Sequence, residues 1–258
     1  MRIDLLPTAE SIVPAELAGR TAVVFDVLRA TSTIVTALAH GCRRVVPVVD
    51  AAGAIELAGR LAGENIPVLL AGERGGQIIP GFPHGNSPLE YPPEVVGGKV
   101  LVLTTSNGTR ALNGAAKGAH TVLVGSLLNA RTVAQKACRL GRDITMVCAG
   151  TQGKFSLEDT LAAGMVVLEI VEMLAPGWLS SNHRPPSSLD LTDFAVAALH
   201  LARTYRDNPR RAFDHSRHGR RLLNMGLAAD LDWCASLNIY RVVPVVKKES
   251  GCLIIEKC

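Results

Sequence analysis

Aromatic residues are scarce in this chain of 258 residues, where Phe, Trp and Tyr together make up 4% of the sequence. A surface of stacked aromatic rings that would bind single-stranded nucleic acid is therefore not expected. The net charge is only +4, whereas a DNA-binding domain usually carries a much more basic surface. Both observations argue against a nucleic-acid partner, and they leave small anions as suitable ligands for a mildly basic protein.

Long apolar runs and patterned cysteines are also missing. No apolar run approaches the roughly 20 residues that a membrane-spanning helix needs, and the first residues lack the apolar core of a signal peptide. The six cysteines show neither a CxxC pair nor any other zinc-binding spacing; they are Cys42, Cys138, Cys148, Cys234, Cys252 and Cys258. The sequence therefore predicts a cytoplasmic protein with reduced thiols and without a membrane segment.

Several common motifs of nucleotide-binding and hydrolytic enzymes do not occur. There is no GxxxxGK[ST] phosphate loop, no GxGxxG after the first predicted strand, no GxSxG elbow and no HExxH zinc motif. The histidines His84, His183, His215 and His218 are not spaced as metal ligands. His218, in the segment SRHGRR, is the best candidate for a general acid, and an ordinary surface histidine is the alternative.

Short apolar runs alternate with alanine-rich segments along most of the chain. The predicted strands are 21–25, 44–48, 68–71, 100–103, 121–124, 144–147 and 242–246. Most lack polar alternation, which is typical of strands covered on both faces. The predicted helices are 32–40, 52–62, 109–117, 130–140 and 189–205, with one or two short helices in 216–238. Strands separated by helices predict a three-layer α/β/α fold with a mainly parallel or mixed sheet.

Two segments of the chain share one plan. Residues 22–48 and 100–126 each contain an apolar strand, a Thr/Ser-rich loop with an arginine, an alanine-rich helix, a glycine and a second strand. This echo predicts an internal duplication, although ordinary repetition of βαβ units would look similar. Gly41 and Gly118 end the two helices and suit the left-handed cap position. The length fits one domain over 1–258, with a sub-division near 176–188, where the chain becomes rich in Pro and Ser.

Polar loops follow four of the predicted strands, at 26–33, 71–93, 104–112 and 148–164. Ligands of open α/β sheets bind beyond the carboxyl ends of the strands, so we expect these loops to form one site. The arginines of the loops are suited to clamping anionic oxygens; they are Arg29, Arg74 and Arg110. The acids are suited to Mg²⁺; they are Asp26, Glu73, Glu158 and Asp159. An anion clamp beside a divalent cation is typical of phosphoryl transfer.

Each of these residues also has a simpler interpretation. Ser32, Thr109 and Ser156 are placed where helix caps occur, and the pair Glu158–Asp159 suits the first turn of a helix. The recurrence of the same polar mixture at four strand ends favours a binding site over four unrelated turns.

The loop motifs DVLRATST, GERGG, GNSPLEY, TTSNGTRAL and CAGTQGKFSLED resemble, in this order, those of the 2-phosphosulfolactate phosphatase family. The resemblance runs from about residue 20 to 165 and continues weakly as far as VVPVV. It implies a Mg²⁺-dependent hydrolase that converts 2-phospho-3-sulfolactate to 3-sulfolactate and phosphate, a step of coenzyme M biosynthesis in some organisms. The chain departs from the family at Pro83 and His84, where an acidic residue often follows the GF of the second loop.

The loops and the resemblance together assign roles to individual residues. The catalytic residues are expected to be Asp26, Arg29 and Arg110, and the metal ligands Glu73, Glu158 and Asp159. The substrate-binding residues are expected to be Thr31, Ser32, Arg74, Asn86, Ser87, Asn107, Gly108, Thr109 and Gly150. Asp26 is either a fourth metal ligand or the group that orients the attacking water. Direct attack by water is preferred over an aspartyl-phosphate because no second Asp forms a DxD pattern.

Two other functions remain open at this point. The first is a phosphatase for another small 2-phospho acid, and the second is a non-catalytic protein that binds small organic anions. The general frequency of symmetric dimers favours a homodimer.

Overall fold

The computed structural model describes residues 1–180, 188–249 and 251–258. Most of the sub-division predicted near 176–188, including His183, lies outside these residues. The strands are β1 Arg2–Leu6, β2 Thr21–Phe25, β3 Arg44–Pro47, β4 Val68–Arg74, β5 Gln77–Ile78, β6 Val100–Thr104, β7 Thr121–Val124, β8 Ile144–Cys148, β9 Asp190–Leu191, β10 Pro244–Glu249 and β11 Cys252–Lys257. The helices are α1 Ala30–Ala39, α2 Ala51–Gly63, α3 Pro93–Val96, α4 Gly108–Ala116, α5 Ala130–Arg139, α6 Leu157–Leu174, α7 Asp193–Tyr205, α8 Pro209–His215, α9 Arg217–Asn224 and α10 Ala228–Cys234.

Helices cover both faces of the central strands, as the apolar runs predict. Successive residues of a strand point to opposite faces. In β2, Val23 and Phe25 pack in a core cluster with α5, α6 and α7, whereas Ala22 and Val24 pack in another cluster with α1 and α4. All five residues of β2 are buried. The predicted three-layer α/β/α fold is therefore confirmed.

One mixed sheet contains eleven strands within the described residues, in the order β5-β4-β6-β3-β11-β10-β7-β2-β8-β1-β9. An antiparallel hairpin, β10 with β11, lies at its centre and separates two groups of parallel strands. The strand predicted at 242–246 was expected to return to the sheet or its edge. It forms half of this central hairpin, and its partner β11 was not predicted.

The hairpin reverses the direction of the sheet. Three antiparallel pairings, β7 with β10, β10 with β11 and β11 with β3, make β6 run opposite to β2. In a flat sheet their carboxyl ends would lie at opposite edges. A Cβ atom on Gly108, which follows β6, would nevertheless lie 2.7 Å from Oδ2 of Asp26, which follows β2. The two ends are therefore close together in the folded protein, as the accumulated twist of a wide sheet allows.

The two segments of the sequence echo adopt the same element order, β2–α1–β3 and β6–α4–β7. The glycines that end their helices differ, however. Gly41 has a φ of 91°, which confirms the predicted left-handed cap. Gly118 does not have a positive φ, so that prediction is wrong. A Cβ atom on Gly118 would lie 1.9 Å from the carbonyl oxygen of Pro14, so close backbone packing explains this glycine.

Gly118→Ala is expected to lower the free energy of unfolding by about 1–3 kcal/mol, because the added methyl group forces the backbone of Pro14 away. Gly59→Ala is the matched control. Gly59 lies in α2, a Cβ atom there would meet no atom within 4 Å, and we expect a gain of about 0.5–1 kcal/mol. Denaturant unfolding of both variants measures the difference. Equal stability of Gly118→Ala and the parent protein would contradict the packing argument.

None of the helices in the described part of the chain combines the length and the apolar character needed to cross a bilayer.

Candidate active site

A cavity of about 120 Å³ lies where the loops after β2, β4, β6 and β8 meet α9. Five residues that the sequence predicted line it; they are Asp26, Arg29, Glu73, Asn86 and Asn107. Residues without a predicted site role also contribute, among them Ser106, Gln152 and Arg221, together with the candidate acid His218. All four predicted loops therefore reach one site, as the strand ends indicated.

Asp26 follows β2 and is 8% exposed. Its backbone N–H donates to Oγ1 of Thr31 at 3.1 Å, which holds the start of the loop. Burial raises the pKa of the Asp26 carboxyl to about 7, and the charges of Glu73 and Glu158 contribute to the rise. A carboxyl group with this pKa can accept a proton near neutral pH, and its charged form is stabilised by any cation that enters the cavity.

Glu73 lies near the end of β4 and is held by two backbone amides. Its Oε1 accepts from the N–H of Ser106 at 2.7 Å, and its Oε2 accepts from the N–H of Gly76 at 2.7 Å. These bonds fix the carboxylate between the loops after β4 and β6. Each carboxylate oxygen retains a second lone pair, so the group can still bind a cation.

Arg29 is held by a buried ion pair. Its Nη1 donates to Oδ2 of Asp230 in α10 at 2.6 Å, and its Nη2 donates to the carbonyl of Gly76 at 2.7 Å. Ser87 donates to the other oxygen of Asp230, also at 2.6 Å. Arg29 and Asp230 are 5% and 3% exposed. The pair orients the guanidinium, whose other N–H groups remain for an anion in the cavity.

Asp230 was not predicted, because it is separated from Arg29 by 201 positions and belongs to no recognisable motif. Ser87 was predicted to contact substrate. It contacts Asp230 instead and does not line this cavity.

The start of α9 closes the other side of the cavity. Oγ of Ser216 caps this helix by accepting from the N–H of Gly219 at 2.8 Å. His218 donates from Nε2 to the carbonyl of Leu28 at 2.9 Å, which leaves Nδ1 for another proton transfer. Arg221 donates to the carbonyl of Gly75 at 2.9 Å. The helix thus adds one imidazole and one guanidinium to the predicted loops.

Two predicted arginines lie away from the cavity. Arg74 follows Glu73 in β4, so strand alternation directs it to the opposite side, where it donates to Oγ1 of Thr104 at 2.9 Å. Arg110 is exposed on α4 and is not among the lining residues. It lies two positions after Gly108, which faces Asp26. Two positions of a helix correspond to roughly half a turn, so Arg110 lies on the helix face away from Asp26. The structure therefore does not support either arginine as a substrate contact.

The hydroxyl groups of Thr31, Ser32 and Thr109 act within the backbone of the loops. Thr31 accepts from Asp26, Ser32 donates to the carbonyl of Val27, and Thr109 donates to the carbonyl of Thr105. Ser32 and Thr109 are not helix caps, so that interpretation is wrong, and none of the three residues lines this cavity. The cap predicted at Ser156 is confirmed, because its side chain accepts from the N–H of Asp159 at 3.2 Å.

Gly108 also serves the backbone rather than the cavity wall. Its missing side chain allows the start of α4 to approach the carboxylate of Asp26, and the amide of Gly108 stabilises the charged form of that carboxylate.

The predicted metal ligands Glu73, Glu158 and Asp159 lie close enough for their charges to act on Asp26 or on one another, but they do not form one group of ligands. Asp159 accepts from the N–H of Val27 at 2.8 Å and from the N–H of Gly150 at 3.1 Å, so it joins the loops after β2 and β8. Burial, and next the charge of Asp26, raise the pKa of Asp159 well above its usual value. Glu158 lines a neighbouring cavity. Across residues 1–180, 188–249 and 251–258, no three His, Cys, Asp or Glu side chains form a group that could hold a metal ion alone.

Asn86 presents an oxygen without a partner. The residue is 4% exposed and lines the cavity, yet its Oδ1 makes no hydrogen bond to any described residue. A buried carbonyl oxygen without a partner is costly unless a ligand satisfies it. Because a carbonyl oxygen cannot donate to a phosphate, this atom suits a cation or a hydroxyl group better than the anionic contact predicted for Asn86.

The model of the 2-phosphosulpholactate phosphatase family matches residues 6–249. The chain belongs to this family. A relative from Symbiobacterium thermophilum is 42% identical over 236 residues, which cover 91% of this chain and 95% of the relative. A relative from Carboxydothermus hydrogenoformans is 39% identical, and the match covers 99% of this chain and 98% of the relative. A relative from Clostridium acetobutylicum is 38% identical, and the match covers 95% of this chain and 97% of the relative. All three are named probable 2-phosphosulfolactate phosphatase.

The family match extends well beyond residue 165, where the recognised motifs become weak. It therefore includes α9 and α10, which supply His218, Arg221 and Asp230 to the site. The resemblance expected from the loop motifs is confirmed for nearly the whole chain.

Proposed function

We propose that the protein is a phosphatase that hydrolyses 2-phospho-3-sulfolactate to 3-sulfolactate and phosphate with the help of Mg²⁺. The observation that carries the proposal is one cavity lined by the acids Asp26 and Glu73, the guanidinium groups of Arg29 and Arg221, and the imidazole of His218. Acids that accept a proton or a cation, beside groups that bind anions, are the equipment of phosphate ester hydrolysis. The names of the relatives support this substrate.

The cationic groups would bind the phosphate. Arg29 is held by Asp230 and cannot turn away from the cavity without breaking a buried ion pair. A guanidinium that is already oriented stabilises the charge on the phosphoryl oxygens without reorganising during the reaction. Arg221, held by the carbonyl of Gly75, would contact the same anion.

Glu73 and Asn86 would hold the Mg²⁺. This ion usually takes only one or two protein carboxylates and completes its shell with water and substrate oxygens, so a complete protein cage is not required. Asn86, whose buried Oδ1 has no partner, and Glu73, whose carboxylate is fixed, both line the cavity, beside a carboxyl group whose raised pKa a cation would lower. When bound, the ion would neutralise charge on the phosphoryl oxygens.

Asp26 and His218 would move the protons. Asp26, whose pKa is about 7 without a cation, would orient the attacking water and take its proton. His218 would give a proton from Nδ1 to the leaving oxygen, since its Nε2 is bonded to the carbonyl of Leu28. Direct attack by water remains the preferred mechanism, because Asp26 has no second Asp in a DxD pattern.

Phosphate release from 2-phospho-3-sulfolactate, 2-phospholactate and 2-phosphoglycerate tests the proposal. We expect the sulfonate to be preferred at least tenfold, because a recognised charged group contributes about 1.5–3 kcal/mol. Dialysis against EDTA should abolish turnover, and added Mg²⁺ should restore it. Equal rates on all three esters would refute the preference for a sulfonate. No phosphate release, with or without EDTA, would instead indicate a protein that only binds anions.

A further inference from the structure

A second cavity, of about 410 Å³, adjoins the candidate active site. It lies between the turn 151–154, which follows β8, and the first turns of α9, and we call it the basic basin. The two cavities share four lining residues, which are Thr151, Gln152, His218 and Arg221. A molecule bound in one cavity can therefore extend into the other.

The basic basin carries an excess of positive charge. Its walls include Lys154, Arg217, Arg220 and Arg221, and the acidic residue in its lining is the buried Glu158. Among the described residues, none of the four cationic side chains forms an ion pair. Arg206, at the end of the neighbouring helix α7, is by contrast paired with Glu172. Four cationic groups around a cavity that has one acid in its lining favour an anionic ligand.

Both walls of the basin are fixed by hydrogen bonds. In the turn 151–154, the N–H of Thr151 donates to the carbonyl of Lys154 at 2.9 Å, and the reverse bond measures 3.1 Å. The two central residues, Gln152 and Gly153, have φ of 55° and 70°, the conformation of a tight hairpin turn. On the opposite wall, the buried Ser216 caps α9. The backbone that carries the cationic groups is therefore already ordered, so no entropy is lost in ordering it when a ligand binds.

The sizes of the two cavities indicate which part of a ligand each of them can hold. Sites for small molecules usually measure about 300–1,000 Å³, so the first cavity is small for a molecule with three anionic groups, whereas the basin is of ordinary size. Asp26, Arg29 and Glu73, which would act on a phosphate, line the first cavity and not the basin, whereas His218 and Arg221 line both. A phosphate in the first cavity would leave the other anionic groups next to the basin.

We propose that the basic basin is the subsite that binds the carboxylate and sulfonate of the substrate, and that it selects phosphate esters with further negative charges over simple esters. The proposal rests on the proposed function, because it assigns the phosphate to the neighbouring cavity. Arg217 and Arg220 are specificity residues in this arrangement, since they line the basin but not the first cavity.

Two substrates with different charges provide the test. 2-Phospho-3-sulfolactate has a carboxylate and a sulfonate, whereas isopropyl phosphate is an ester of a secondary alcohol without either group. With the complete protein and Mg²⁺, we expect Arg217→Gln and Arg220→Gln each to lower kcat/KM for 2-phospho-3-sulfolactate about tenfold, mainly through KM. The kcat/KM for isopropyl phosphate should stay within a factor of about two.

Arg211→Gln is the matched control, because Arg211 is an exposed arginine of α8 that lines neither cavity. It removes the same charge and should change neither reaction. An equal loss in this control, an equal loss on isopropyl phosphate, or no loss in either basin variant would overturn the proposal.

Calorimetric binding of the product 3-sulfolactate separates the basin from the proposed function. We expect Arg217→Gln and Arg220→Gln to weaken this binding about tenfold, and Arg211→Gln to leave it unchanged. If no form of the protein hydrolyses an ester, the proposed function fails, yet this pattern of binding would still support the basin. Unchanged binding in the basin variants would contradict it even in an active enzyme.

Discussion

Asp26→Asn is expected to abolish hydrolysis while making the folded protein more stable at alkaline pH. Asparagine keeps the shape of the side chain but cannot take a proton from water, so we expect kcat to fall by at least about 10²–10⁴. The same change removes a negative charge that is buried beside Glu73 and Glu158. Function at this position is therefore expected to oppose stability.

The sign of the stability effect follows from the pKa of Asp26. The carboxyl has a pKa of about 7 in the folded protein against 3.8 as its ordinary value, so folding is penalised once the group ionises. The penalty is small below pH 4, grows between pH 4 and pH 7, and is complete above pH 7. In EDTA at pH 8, we expect Asp26→Asn to gain about 2–4 kcal/mol of unfolding free energy.

Denaturant unfolding of Asp26→Asn at pH 8 and pH 5 measures this difference, and the gain should shrink at pH 5. Asp207→Asn is the control, because Asp207 is exposed and lies outside the candidate active site. A gain of the same size at both pH values, or a loss of stability at pH 8, would show that the buried charge of Asp26 does not oppose folding.

Asp230→Asn is expected to damage both stability and activity, because it leaves the guanidinium of Arg29 buried without a counter-charge. Removing one partner of a buried ion pair usually costs about 3–5 kcal/mol. A less firmly oriented Arg29 should lower kcat/KM by about 10², and more through kcat than through KM if the guanidinium acts mainly on the transition state. Asp230 would then be a positioning residue.

Asp232→Asn provides the control on the same helix. Asp232 is exposed and pairs with Arg210, and exposed pairs contribute about 0–1 kcal/mol, so we expect little change. The double variant Arg29→Met with Asp230→Leu removes both buried charges and should recover much of the stability without recovering activity. If Asp230→Asn retained the kcat of the parent protein below its unfolding temperature, Asp230 would have a structural role only.

The central strands were predictable because a strand that is buried on both faces is apolar at nearly every position. The apolar runs at β2 and β7 coincide with their predicted ranges, since nearly every residue in them contacts core. β1 and β11 were missed. β1 pairs with β8, and β11 pairs with β10 and β3, so these strands depend on partners that are distant in the sequence.

The helix predicted at 189–205 shows the same dependence on pairing. It begins only at Asp193, because Asp190 and Leu191 form β9 beside β1. A strand of two residues has no periodicity of its own. Its backbone hydrogen bonds to β1 decide its conformation.

The candidate site was predictable at the level of loops and chemistry, but not at the level of every side chain. Arg29 and Arg74 look alike in the sequence, since each is a basic residue at a strand end. Arg29 lines the cavity, whereas Arg74 lies on the other side of its strand and contacts Thr104. Arg221 was overlooked because nothing in a basic segment distinguishes the arginine that faces a cavity from one that faces solvent.

The amino-acid sequence was sufficient to predict the alternation of covered strands and helices, the polar loops at four strand ends and the family. These features are local, because each depends on residues within one segment. Only the folded chain shows that the β10–β11 hairpin reverses the direction of the sheet, which arginines reach the cavity, and that Asp230 holds Arg29. Those outcomes depend on strand order, on the facing of single side chains and on pairing across 201 positions, none of which leaves a local pattern.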